Sequence, residues 1–98
     1  MIEIRQTRVY ADWIDKLRDR AVVARIDTRI DRLRLGNPGD VKAVGEGVSE
    51  LRIPYGPGYR VYYAQRGELL IMLLCGGDKS DQSRHIALAK DLARQWKE

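Results

Sequence analysis

Apolar positions divide the chain into a helical first third, a strand-rich middle and a final helix. A short alternating stretch at residues 2–4 predicts a first or edge strand. Two stripes with helical spacing follow, and they consist of Val9, Tyr10, Trp13, Ile14 and Leu17, then Val22, Ile26, Ile30 and Leu33. They predict two amphipathic helices with a break near residues 18–20, and the second helix should stop at the GNPG sequence of residues 36–39.

From residue 41 onward the pattern is typical of strands. Residues 41–44 and Val48–Ile53 predict two strands joined by the Gly-containing turn at 45–47, and residues 59–65 predict a third. Residues 69–75 are apolar at every position, which predicts a central strand covered on both faces. We expect Gly76 and Gly77 to end that strand. Ser80 or Asp81 can then cap a last helix, whose apolar side holds Ile86, Ala89, Leu92, Ala93 and Trp96, with Gln82 beside them.

These elements predict one α+β domain spanning residues 1–98, in the order β-α-α-β-β-β-β-α. The expected architecture is two N-terminal helices packed on a four- to five-stranded antiparallel sheet, with a C-terminal helix. A chain of this length can bury enough surface for a single modest core.

The loop at residues 54–58 gives a testable strand register. If it places Ile53 opposite Tyr59, then Arg52 lies opposite Arg60. Alternation assigns one sheet face to Leu51, Ile53, Tyr59, Val61 and Tyr63, and the other to Glu50, Arg52, Arg60 and Tyr62. Two directly opposed arginines are destabilising in isolation, so their pairing predicts that they hold an anion between them.

The sequence does not fix the position of Lys79 relative to the two arginines. A tight turn at Arg66-Gly67 pairs Arg60 with Leu73 and Tyr62 with Ile71. In that register Lys79 lies far beyond Arg60 and joins the arginines only if the double glycine turns the chain back. Otherwise it is a surface turn residue.

Composition favours anionic partners only weakly. The net charge is +4 with a pI near 9.5, but the basic residues are interleaved with aspartates along the first half.

The longest apolar run is too short for a membrane span, and the N-terminus has no signal-peptide layout. A single cysteine excludes an internal disulfide and fits a reducing compartment. We therefore expect a cytoplasmic protein with no membrane partner, and Cys75 should be a small core residue.

The predicted sheet face suggests metal-free phosphate chemistry. With one histidine and one cysteine, and no carboxylate pair at ligand spacing, we expect neither a metal nor another cofactor. The planar guanidinium groups of Arg52 and Arg60 can grip phosphate oxygens bidentately, although a solvated sheet face is the alternative. Glu50 is a candidate general base or a structural ion-pair partner of Arg52. His85 suits acid–base work, or it has a structural or solvent-facing role at the edge of an apolar stripe.

Two tyrosines are candidate RNA contacts. Tyr62 shares the face with the arginines, and Tyr55 lies in the Gly/Pro-rich loop. Either ring could stack on a base or donate a proton, and core packing is the alternative for both.

Several stretches together carry a family resemblance. They are WIDKLRD, RIDTRIDRLRLGNPGDVKAVGEGVSELRI, GPGYRVYY and GGDKSDQ, and they span nearly the whole chain. The chain resembles the HigB-like addiction-module killer proteins of the RelE/ParE toxin superfamily. The resemblance implies a RelE-like fold and a bacterial toxin of a type II toxin–antitoxin pair that enters the ribosomal A site and cleaves mRNA without a metal. Its partner would be a small helix-turn-helix, HigA-like antitoxin.

The resemblance also implies roles for single residues. Arg60 in GYRVYY matches an arginine that contacts the scissile phosphate, and Arg52 in ELRI matches basic strand residues that bind the RNA backbone. Lys79 in GGDK lies near a later cationic position of the family. A tyrosine or histidine near the C-terminus acts in some relatives, and His85 is the single histidine of this sequence. Two alternatives remain open: a ParE-like inhibitor of DNA gyrase, and a non-catalytic member that binds only its antitoxin or RNA. The paired arginines favour the nuclease, since a gyrase inhibitor does not need clustered phosphate contacts there.

Overall fold

The structure, a computed structural model, describes residues 1–96 and has an α+β architecture. Within this range five strands form one sheet: β1 (Glu3–Gln6), β2 (Val41–Gly45), β3 (Val48–Ile53), β4 (Tyr59–Arg66) and β5 (Leu70–Asp78). The spatial order is β1-β5-β4-β3-β2. Strands β2 to β5 pair antiparallel, whereas β1 runs parallel to β5. The sheet is therefore mixed, and the prediction of an antiparallel sheet was wrong for β1, because an alternating apolar pattern does not encode the direction of the neighbouring strand.

Three α-helices within residues 1–96 cover the two faces of the sheet. Helices α1 (Arg8–Lys16) and α2 (Arg20–Arg34) are capped by the side chains of Thr7 and Asp19, respectively. Both pack on one face, and α3 (Gln82–Gln95) packs on the other. None of the helices in this range is long and apolar enough to cross a membrane.

Strand β5 contributes to two separate apolar clusters, as predicted for a central strand. Ile71 and Leu73 pack in the cluster below α1 and α2, and Leu74 and Cys75 pack in the cluster below α3. Burial raises the pKa of the Cys75 thiol to about 12, consistent with its predicted role as a small core residue.

The predicted register of β3 and β4 is confirmed. Ile53 pairs with Tyr59, Arg52 with Arg60, and Glu50 with Tyr62. The apolar face packs on α1 and α2 as expected. The opposite face is not an open solvated surface, because α3 lies over part of it.

The predicted register of β4 and β5 was wrong by four residues. Arg60 pairs with Gly77 instead of Leu73, and Tyr62 pairs with Cys75. The turn is longer than predicted, since Arg66 pairs with Leu70, and an irregularity between Tyr62 and Tyr63 shifts the ladder further. Strand β5 consequently continues through both glycines to Asp78.

The chain turns only after Asp78. Residues Lys79–Asp81 form a short 3-10 turn, and the Asp78 side chain accepts a hydrogen bond from the Ser80 backbone N–H. Asp81 occupies the N-cap position of α3 without a side-chain capping hydrogen bond, so the predicted cap by Ser80 or Asp81 is not formed.

The two glycines are required by close packing on both faces of β5. A Cβ atom on Gly76 would lie 2.2 Å from Cζ3 of Trp13 in α1, and one on Gly77 would lie 2.2 Å from Cε1 of His85 in α3. Each ring therefore rests directly on the strand backbone, which only glycine allows.

Gly76→Ala should destabilise the fold by about 1–3 kcal/mol, because the added methyl group overpacks against Trp13. Denaturant unfolding measures the change in the free energy of unfolding. The loss should be smaller when Gly76→Ala is introduced into a Trp13→Leu background, where the ring is absent. An equal loss in both backgrounds would contradict the assigned contact.

Candidate functional site

The three basic residues predicted for the site lie together at one end of the sheet. Arg52, Arg60 and Lys79 line the same cavity, which has a volume of about 230 Å³ and also contacts Asp40, Pro54, Gly58 and Tyr59. The β3–β4 register brings the two arginines together. Lys79 joins them because Tyr59 pairs with Asp78, which places the next residue at the cavity. The lysine thus arrives by continuation of β5, and the predicted reversal at Gly76-Gly77 does not occur.

Glu50 lies beside the two arginines and is fully buried. Its Oε1 accepts a hydrogen bond from Nε of Arg52 at 3.1 Å. Its Oε2 accepts from the Tyr62 hydroxyl at 2.9 Å and from Nε2 of Gln82 in α3 at 2.8 Å. Nε of Arg60 lies 3.7 Å from the same oxygen. Glu50 therefore organises both arginines, and its two oxygens are already engaged.

This environment favours the structural ion pair for Glu50 over the general base. Burial alone would raise its pKa, but the hydrogen bonds from Gln82, Arg52 and Tyr62 and the charge of Arg60 together lower it. A carboxylate that is easily ionised and fully occupied is a poor proton acceptor.

Tyr62 has the core-packing role. Its ring is fully buried, so it is not accessible for stacking on a base. Burial raises its pKa, and the hydrogen bond to Glu50 raises it further, so the phenol stays protonated and donates to the carboxylate.

Arg52 and Arg60 differ in their solvent exposure and in their contacts with other side chains of the chain. The Arg60 side chain is 13% exposed, and its Nε is buried without a hydrogen-bond partner among residues 1–96. The Arg52 side chain is 34% exposed, and its Nη1 lies 3.9 Å from Oδ1 of Asp40. Nε of Arg60 faces the Glu50 carboxylate beyond hydrogen-bond distance, so an ion pair holds the side chain in place, and Arg60 lines the cavity where an anionic ligand would meet it.

Asp40 and Arg29 are site residues that the sequence reasoning missed. Arg29 in α2 donates through Nη1 to the Arg52 carbonyl and through Nη2 to the carbonyls of Pro38 at 3.0 Å and Asp40 at 3.1 Å. The Arg52 backbone N–H in turn donates to the Asp40 carbonyl at 3.0 Å. These contacts fix the backbone at Arg52, and no local sequence pattern distinguishes the partly buried Arg29 from the exposed arginines of α2.

His85 lies beside the cation cluster without lining its cavity. Its ring packs on Gly77, the strand partner of Arg60, and its Nδ1 is buried without a hydrogen-bond partner in the described range. The pKa of Asp78 is lowered, mainly by hydrogen bonds from Ser80 and also by the nearby charge of His85.

Tyr55 is not part of the cation cluster. The guanidinium carbon of Arg25 lies 4.4 Å from the centre of its ring, and the pair lines a separate cavity between α2 and the β3–β4 loop. No group of three or more His, Cys, Asp or Glu side chains that could hold a metal ion occurs within residues 1–96.

Comparison with known proteins places the chain in a family. No protein-family model matches it. An uncharacterized protein of Haemophilus influenzae is 47% identical to it over 94 residues, which are 96% of this chain and 95% of the relative. The chain belongs to the family of that protein. Because the alignment covers nearly all of both chains, the strands that carry Arg52 and Arg60 lie within the family's shared region.

Proposed function

We propose that this protein is the toxin of a type II toxin–antitoxin system, with a RelE-like fold, and that it cleaves mRNA in the ribosomal A site. The observation that carries the proposal is the convergence of Arg52, Arg60 and Lys79 on one cavity. Arginine forks recognise phosphate bidentately, and a compact lysine charge complements them. The resemblance of the GYRVYY and GGDK stretches to the toxin family supports cleavage of the RNA in addition to binding.

The cavity suits metal-free cleavage of an RNA phosphodiester. The 2′-hydroxyl of the RNA attacks phosphorus and loses its proton, and the 5′ oxygen leaves and gains one, which yields a 2′,3′-cyclic phosphate and a 5′-hydroxyl. Arg60 and Arg52 stabilise the negative charge that develops on the phosphoryl oxygens. Glu50 holds both guanidinium groups in place before the substrate arrives.

The site has fewer candidate groups for proton transfer than for stabilising negative charge. Since Glu50 and Tyr62 are both committed to hydrogen bonds, the proton-transfer role falls to His85, whose ring packs on Gly77, the strand partner of Arg60. A site with few proton-transfer groups gains most from a substrate held in the reactive geometry, which the ribosome would provide. The proposed setting is therefore cytoplasmic, with a helix-turn-helix antitoxin as the controlling partner.

The proposal is tested by expressing the protein in bacteria and mapping mRNA ends by primer extension. Wild type should arrest growth and cut a reporter mRNA inside its coding region, and the cuts should disappear when the start codon is removed. Growth arrest with intact mRNA and accumulated DNA breaks would instead indicate a gyrase inhibitor. Absence of growth arrest would indicate a non-catalytic binding protein.

A further inference from the structure

Two cavities adjoin at the β3–β4 loop. Ile53 and Pro54 line both the cation cavity and the larger cavity beside Tyr55, which has a volume of about 460 Å³. Arg29 lines the larger cavity and donates to the carbonyl of Arg52, which lines the smaller one. The spacing between the two cavities is thus fixed by side-chain to backbone hydrogen bonds.

The combined surface has a local excess of positive charge. Its cationic lining residues are Arg25, Arg29, Arg32, Arg52, Arg60 and Lys79, and the acidic one is Asp40. The cavity between α1 and α2 is balanced by comparison, because it pairs Arg18 and Arg20 with Asp15 and Asp27. A basic band that crosses a loop is the electrostatic footprint expected for a polyanion.

The larger cavity combines an apolar floor with exposed guanidinium groups. Ala21, Ala24, Ile53 and Pro54 supply the apolar part. Arg25 and Arg32 are exposed, and Arg25 lies over the ring of Tyr55. Apolar and aromatic surfaces bind the flat face of an unpaired base, while arginines bind its phosphate or stack on the ring. The volume lies within the roughly 300–1,000 Å³ range of small-ligand pockets.

We propose that this cavity is a subsite for a nucleotide farther along the RNA strand than the two nucleotides joined by the scissile phosphate. The RNA strand passes from Arg52 and Arg60 across Pro54, and the base of that nucleotide lies against Tyr55 and Arg25 with its phosphate at Arg32. This inference rests on the proposed RNA-cleaving function, because it takes the cation cavity as the position of the scissile phosphate.

Binding of uncleavable RNA of two lengths tests the subsite. Fluorescence anisotropy would compare 2′-O-methyl oligoribonucleotides of about three and about ten nucleotides, lengths that contact one cavity or both. The Arg25→Gln/Arg32→Gln variant should bind the longer RNA about tenfold more weakly, with a salt-dependence slope smaller by about 0.7 because the phosphate contact of Arg32 is lost. Its affinity for the shorter RNA should not change. Arg18→Gln/Arg20→Gln is the matched control, since it removes the same charge from a different cavity.

The outcomes separate this inference from the proposed function. Wild-type behaviour of the Arg25→Gln/Arg32→Gln variant overturns the subsite even if Arg60→Ala still weakens binding of the short RNA. An equal effect of the control variant, or equal affinity of wild type for both lengths, also overturns it. If the variant loses affinity for a polyglutamate peptide and not for RNA, the cavity serves an acidic protein segment instead. Unchanged binding of the short RNA by Arg60→Ala would count against the proposed function itself.

Discussion

Arg60→Ala should reduce the rate of mRNA cleavage by about 100-fold or more, because it removes a preorganised charge from the transition state. Arg60 is held by Glu50 at 3.7 Å, and its buried Nε has no hydrogen-bond partner in the described part of the chain. The ion pair with Glu50 orients the guanidinium group before the substrate arrives, so little ordering is needed when the group binds a phosphoryl oxygen. The rate is measured with purified protein and ribosomes stalled on a defined mRNA, and the cleavage step itself should slow in addition to the weaker RNA binding.

Two matched variants make the Arg60 result specific. Arg60→Lys keeps the charge but not the planar fork, so it should recover only part of the activity. Arg84→Ala removes a largely exposed arginine of α3 that pairs with Asp81, and it should cleave at the wild-type rate. Equal losses in the Arg84 and Arg60 variants, or full activity of Arg60→Ala, would contradict the role assigned to Arg60.

Glu50→Ala should lower the free energy of unfolding by about 3–5 kcal/mol, because it leaves buried charges and donors without their acceptor. Arg52, Tyr62 and Gln82 all donate to this carboxylate, and Arg60 lies beside it. Glu50→Gln keeps the shape and one acceptor oxygen, so it should cost less. Denaturant unfolding at neutral pH measures both variants, and a loss below 1 kcal/mol for Glu50→Ala would contradict the organising role.

The Glu50 ion pairs should also make stability depend on pH in a defined direction. The pKa of Glu50 in the folded protein lies below its ordinary value of 4.5. A group with a lowered folded pKa contributes stability that is complete above the unfolded value and is lost as the pH falls through the folded value. The stability difference between wild type and Glu50→Gln should therefore shrink below pH 4.5. A constant difference between neutral pH and pH 3 would contradict this assignment.

The β3–β4 half of the site could be predicted from the sequence because its register depends on local features. A five-residue loop and strict alternation were enough to place Arg52 opposite Arg60 and Glu50 opposite Tyr62. The buried network around Glu50 could not be predicted in full, since Gln82 comes from a helix that is distant in sequence and packs on this face only in the folded chain.

The β5 half of the site was mispredicted for two physical reasons. The turn between β4 and β5 is longer than the predicted tight turn, and the irregularity between Tyr62 and Tyr63 moves the register further without leaving a signal in the apolar pattern of β5. Gly76 and Gly77 were interpreted as a turn because glycine favours turns, whereas here the missing side chains admit the rings of Trp13 and His85. The same local patterns could not show that β1 pairs with β5 in parallel.

We propose that Arg52, Arg60 and Lys79 together bind the phosphate that the RNA's own 2′-hydroxyl attacks. The most direct measurement adds purified protein to ribosomes stalled with a labelled mRNA codon in the A site, and identifies the ends of the fragments. We expect a cut within that codon that leaves a 2′,3′-cyclic phosphate and a 5′-hydroxyl, and no cut when the attacking nucleotide is 2′-deoxy. Cleavage at the same rate on the 2′-deoxy mRNA, or intact mRNA in both cases, would contradict the claim.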